Sequence, residues 1–90
     1  MEEITTEPHI IIGVHITNRA RRAAEVQQVF TEFGCNIKTR IGLHDLDDNV
    51  CSTSGVVLLE FFGSQEEAEQ IQRRLRAIQG VDVKLMVFEH

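Results

Sequence analysis

The sequence predicts one α+β domain in the order βαββαβ, an antiparallel four-stranded sheet with both helices on one face. Three observations predict it. Four segments space their apolar residues two apart, as strands do, and two space them three and four apart, as helices do. The third is length: ninety residues leave room for one core, and 42% hydrophobic with 26% charged residues suits a globular chain. A domain this small buries only about 60–65% of the surface of its unfolded chain, so a large exposed apolar face calls for a partner.

The elements follow in order. Residues 9–17 (HIIIGVHIT) place Ile10, Ile12, Val14 and Ile16 on one side of an extended segment and His9, Ile11, Gly13 and His15 on the other. A central strand is expected. Asn18 suits a helix cap, Ala23, Val26, Phe30 and Phe33 form the apolar stripe of the following helix, and Gly34 is expected to end it in a left-handed turn. Ile37, Thr39, Ile41 and Leu43 then alternate with Lys38, Arg40, Gly42 and His44, the pattern of a half-exposed edge strand. Residues 44–55 (HDLDDNVCSTSG) read as a long polar loop. The nearly unbroken apolar run 55–62 (GVVLLEFF) fits a strand covered on both faces. Ser64-Gln65-Glu66-Glu67 matches a capping box and opens a second helix, with a stripe of Ala68, Ile71, Leu75 and Ile78, a Glu69–Arg73 pair and Gly80 at its end. Residues 81–88 (VDVKLMVF) alternate Val81, Val83, Leu85 and Val87 with Asp82, Lys84, Met86 and Phe88.

Two right-handed crossovers joined by a hairpin give a ferredoxin-like sandwich with strand order 4-1-3-2. Residues 9–90 form this domain and 1–8 an acidic tail. With the helices over one face, Ile11, Val56, Leu58, Phe62, Met86 and Phe88 fall on the other. Six such side chains exceed the apolar patch a monomer ordinarily exposes, so self-association through the sheet is expected; a shifted register or a folded-over tail is the alternative.

Charge narrows the partners. A net charge of −5 disfavours direct nucleic-acid binding, which draws most of its affinity from phosphate neutralisation. An RNA-recognition sheet of the same strand order would display stacking aromatics amid basic residues, and this chain has no Tyr or Trp. No apolar run approaches the ~20 residues of a membrane helix, and the first eight residues are acidic where a signal peptide is basic, so a cytoplasmic protein without membrane partners is expected. Two cysteines in that compartment are expected to be buried or ligating rather than paired.

Three sets of residues bear on chemistry. His44 and Cys51 offer an imidazole and a thiolate to a borderline divalent metal, a half-site that His15 or His9, Asp47 or Asp48, or a symmetry mate would complete. The plainer reading has His44 solvated and Cys51 packed under the hairpin. His15 is an interface histidine or a ligand, and Cys35 is expected to be small and buried after Gly34. Arg19, Arg21 and Arg22, with Asn18, crowd the start of the first helix, where the dipole disfavours cations. They would suit a carboxylate or phosphate, or an acidic side chain of a neighbouring subunit. No nucleophile elbow, P-loop, H-E-x-x-H or C-x-x-C occurs, and no enzyme is expected.

Residues 30–37 (FTEFGCNI), a helix end, a glycine and a strand start, resemble the corresponding stretch of ACT-type regulatory domains. The whole chain resembles the stand-alone ACT-like domains known as iron-only hydrogenase system regulators. The segment 44–88 is similar to the C-terminal metal-sensing domain of nickel-responsive CopG-type repressors. In that family a strand carries H-x-H, an acidic turn follows and a Cys closes the set. Here His44 stands at the second His, residues 45–49 (DLDDN) at the acidic turn and Cys51 at the Cys, while Gly42 occupies the place of the first His. ACT domains receive small effectors between the first strand and first helix, here Gly13, Thr17 and Asn18.

The resemblance implies a non-enzymatic regulator, of transcription or of hydrogenase- or metal-linked expression. It would form a homo-oligomer, dimer or tetramer, bind nickel, a similar divalent metal or a small ligand near subunit boundaries, and act through a protein partner. A ligand-free interaction module is the rival expectation, and a small oligomeric enzyme a more distant one.

Overall fold

The computed structural model describes residues 7–17, 19–44 and 55–89, and for 19–21, 43 and 44 the backbone only. Its elements are β1 (His9–Ile16), α1 (Arg19–Glu32), a 3₁₀ turn (Gly34–Asn36), β2 (Ile37–His44), β3 (Gly55–Phe61), α2 (Gln65–Arg76) and β4 (Val81–Phe88). The sheet runs β2-β3-β1-β4 with antiparallel neighbours, as the two crossovers require. The fold is ferredoxin-like. Most of the acidic tail and the polar loop fall outside the described residues.

Alternation in β1 sorts the core. Ile10, Ile12, Val14 and Ile16 are buried under the helices together with Leu59, Phe61, Val81 and Val83. The helices answer with Val26, Val29 and Phe30 from α1 and Ala68, Ile71 and Leu75 from α2, with Ile78 just beyond. Each large side chain so buried contributes about 1.5–3 kcal/mol.

The capping box forms as the sequence predicts. Ser64 Oγ accepts the Glu67 N–H at 3.1 Å, and Glu67 Oε1 accepts the Ser64 N–H at 3.0 Å. The Ser64 N–H first, and then the Ser64 hydroxyl donating to Glu67 Oε1 at 3.2 Å, hold the Glu67 carboxyl below its ordinary range. The 3₁₀ turn is tied to the same corner, because Asn36 Nδ2 donates to the Phe62 carbonyl at 2.8 Å and the Phe62 N–H donates to the Asn36 carbonyl at 2.6 Å. Gly63 makes the corner possible. Its φ is +149°, and a Cβ there would come within 2.9 Å of Glu67 Oε1 and 3.0 Å of Asn36 Nδ2. At the far end of α2, Gln72 Nε2 and Arg76 Nη2 donate to the Val83 carbonyl at 3.2 and 2.7 Å, which satisfies part of the open edge of β4.

Several expectations need correction. Gly34 is not left-handed; among the described residues positive φ occurs at Gly63 and Gly80, and the chain leaves α1 through the 3₁₀ turn instead. Cys35, in that turn, is exposed rather than buried. Ala23 is exposed and Val29 takes its place in the core, because the helix stripe turns through Val26, Val29 and Phe30. Glu69 accepts from Gln65 at 3.3 Å and forms no ion pair with Arg73. In β2 the register shifts between Ile37 and Thr39, so Lys38 is an extra residue. Ile37 therefore packs against the core, whereas Thr39 and Ile41 fall on the opposite face and Arg40 comes to the helix side.

Candidate functional site

The face of the sheet away from the helices is built in rows. Thr39, Glu60, Ile11 and Met86 form one, and Ile41, Leu58, Gly13 and Lys84 the next. Val56, His15 and Asp82 follow. At the other end Phe88 stands opposite His9, and Phe62, one residue past β3, shares a small cleft with His9, Lys38 and Glu60. Ile11, Val56 and Leu58 are half-buried, while Phe62, Met86 and Phe88 are 59%, 56% and 53% exposed. All six expected face residues thus share one surface. Ile41, at 51% exposure, joins them and escaped the sequence reading because only the bulge at Lys38 reveals its side.

Gly13 shapes the middle of this face. A Cβ there would touch only Leu58 Cδ2, at 3.8 Å, and the Lys84 carbonyl, at 3.9 Å, so Leu58 leans over a shallow dip. Polar groups are interspersed with both signs: Lys84 and Lys38 against Glu60 and Asp82, with Thr39 Oγ1 donating to Glu60 Oε1 at 2.9 Å.

The expected ligand sets are only partly on view. His15 is exposed on this face, opposite Val56 and Asp82, away from the helices. His44 pairs through its backbone with Gly55; its side chain, Cys51, Asn18 and the side chains of Arg19 and Arg21 lie outside the described residues. Among the described residues no group of three or more His, Cys, Asp or Glu side chains could hold a metal ion, so one chain's described donors do not fit such a site. Arg22 is engaged within its own chain, donating to Glu25 Oε1 at 3.3 Å and to Gln79 Oε1 at 3.2 Å. For this arginine the compensating acid is not a neighbouring subunit's.

On the helix side, between α1 and the strands β2 and β3, lies a cavity of about 340 Å³. Ile16, Val26, Phe30 and Val57 wall it, and Arg40 and Gln27 stand among its lining groups. The sequence reading missed it. The signal was Gly42, a bare position inside an otherwise apolar and basic strand.

A second polar cluster braces the helices. Arg74 grips Glu32 with both arms of its guanidinium, one Nη2–Oε1 contact being 2.9 Å. That hydrogen bond, more than the charge, lowers the Glu32 carboxyl and raises Arg74. Both are well exposed, so the pair orients α1 against α2 more than it stabilises them.

No protein-family model matches the chain, and no curated protein matches it. Among solved structures, the uncharacterized protein TM1266 from Thermotoga maritima is similar with a TM-score of 0.75 at 19% identity, over 88% of this chain and 94% of that one. That likeness is one of fold. Among the described residues no helix is long and apolar enough to cross a membrane.

Proposed function

We propose that this chain is a regulatory module without enzymatic activity that pairs with a second copy of itself across the open sheet face. One observation carries the reading: Ile41, Phe62, Met86 and Phe88 are more than half exposed on the same surface as Ile11, Val56 and Leu58. Water wets such a surface at a cost that a matching apolar surface removes. A second copy is the fitting occupant because the face is self-complementary. In a twofold pairing, Lys84 of one copy can meet Glu60 or Asp82 of the other while the apolar rows stack.

Regulation follows if an effector binds the paired and unpaired states with different affinity, since it then shifts the equilibrium between them. A nickel-like metal ion is one such effector. His15 and Asp82 sit opposite each other on the pairing face, so two copies would bring two such pairs to one boundary. The resemblance to iron-only hydrogenase system regulators supports a role in transcription or metal-linked expression through a protein partner.

Light scattering on the full chain, eluted across a range of concentrations with and without nickel(II), tests this. Dimers or tetramers that Leu58→Glu reduces to monomers support the reading, and a nickel-dependent mass that His15→Ala abolishes supports the metal form. Monomers at every concentration, with and without nickel, contradict it.

A further inference from the structure

The cavity beside α1 differs from the open face in every respect that matters for a ligand. It is concave, lies on the helix side and is walled by nearly inaccessible side chains, Ile16 at 3%, Val26 at 3% and Phe30 at 4% exposure. Its volume of about 340 Å³ is at the small end of ligand pockets. Glycine keeps it open. Gly42 stands inside β2 opposite Val57, and a Cβ built there would meet nothing within 4 Å. A β-branched or leucine side chain would favour the strand and bury itself against Val57, so a glycine here leaves backbone bare where something else approaches.

Arg40 gives that space its chemistry. The bulge at Lys38 turns Arg40 to the helix side, where its guanidinium lies over the Phe30 ring at 4.9 Å and donates from Nη2 to Gln27 Oε1 at 2.7 Å. Stacking and this one hydrogen bond fix the plane of the fork and leave its other N–H donors without a partner among the described residues. Arg22, Arg74 and Arg76 each have a carboxylate within 4 Å, whereas among the described residues Arg40 and Arg73 have none, and of these two Arg40 is the one that lines this cavity. A held guanidinium with no carboxylate beside it among the described residues, at an apolar cavity, is complementary to a molecule with one carboxylate and an apolar body.

We propose that this cavity binds a small apolar monocarboxylate, its carboxylate on Arg40 and its hydrocarbon against Val26, Phe30 and Val57, over the bare backbone of Gly42. The site is built by one chain and does not need the pairing face. It goes beyond the reading above and stands or falls separately.

The test is a ¹⁵N–¹H NMR titration of the full chain with octanoate and, as its uncharged match, octan-1-ol. Octanoate is expected to give saturable shifts at the amides of Val26, Gln27, Gly42 and Gly55. Arg40→Gln, a change at an exposed position, is expected to weaken octanoate at least about tenfold and to leave octan-1-ol unchanged. Gly42→Leu, which fills the space, is expected to abolish both. Shifts confined to Ile11, Leu58 and Met86, no saturable shift, or equal octanoate affinity in wild type and Arg40→Gln would each overturn the proposal. Loss of assembly with the cavity shifts intact would count only against pairing.

Discussion

Leu58 and Leu59 are neighbours in β3, chemically identical, and face opposite ways. Leu59 is completely buried beneath the helices, whereas Leu58 leans over Gly13 on the open face and keeps part of its surface in water. The two faces of the sheet are both apolar, yet one is closed by α1 and α2 and the other by none of the described residues. Strand alternation therefore decides not which residues are hydrophobic but which of them the chain can cover itself. The covered face accounts for folding, and the uncovered one is where a second molecule has something to gain.

Truncating the two leucines separates the faces most sharply. Leu59→Ala is expected to cost about 2–5 kcal/mol at any protein concentration, read from the urea midpoint. Leu58→Ala is expected to cost about 1 kcal/mol at high dilution and more as concentration rises, because part of its burial then comes from the partner. Equal, concentration-independent losses would erase the distinction.

The corner that seats α2 on the covered face should be next in magnitude. Gly63→Ala combines a positive φ with contacts near 3 Å, and a loss of about 1–3 kcal/mol in thermal unfolding is expected. Ser64→Ala removes one half of the capping box, at about 1 kcal/mol.

Acid should act on the same corner. Folding lowers the Glu67 carboxyl from its ordinary value of 4.5, so its contribution is fully present above that pH and fades as the pH falls through the folded value. Glu67→Gln is therefore expected to be less stable than wild type near neutrality, with the gap narrowing below pH 4.5. A gap that widens in acid would contradict the capping account. The smallest effect belongs to Glu32→Gln, which breaks the exposed grip of Arg74 and should matter less as salt is raised.

The legibility of these regions in the sequence follows from how local their causes are. The element order, the core of β1 and the capping box rest on spacings within one segment, and Ile10 to Ile16 or Ser64 to Glu67 show them directly. The side on which Ile41 and Arg40 fall depends on an extra residue at Lys38, and a bulge leaves no period in the sequence to count. Ala23 belongs to a helical stripe by spacing, but the stripe turns toward Val29, so Ala23 lines the cavity instead. The open face was readable because alternation assigns it once the helices are placed; the cavity was not, because it depends on how α1 sits over β2 and β3. Of the proposed ligand sets, His15 lands on the open face, while the His44 side chain and Cys51 lie outside the described residues.

Sedimentation equilibrium on the wild type and a Met86→Glu, Phe88→Ser double variant, with circular dichroism on both, bears most directly on the claim that the uncovered face joins two copies. A wild-type mass at or above twice the chain mass, falling to one chain in a variant that keeps its helix and strand signal, is the predicted result. A wild type that stays a single chain up to the highest attainable concentration, or a variant that assembles as the wild type does, would contradict it.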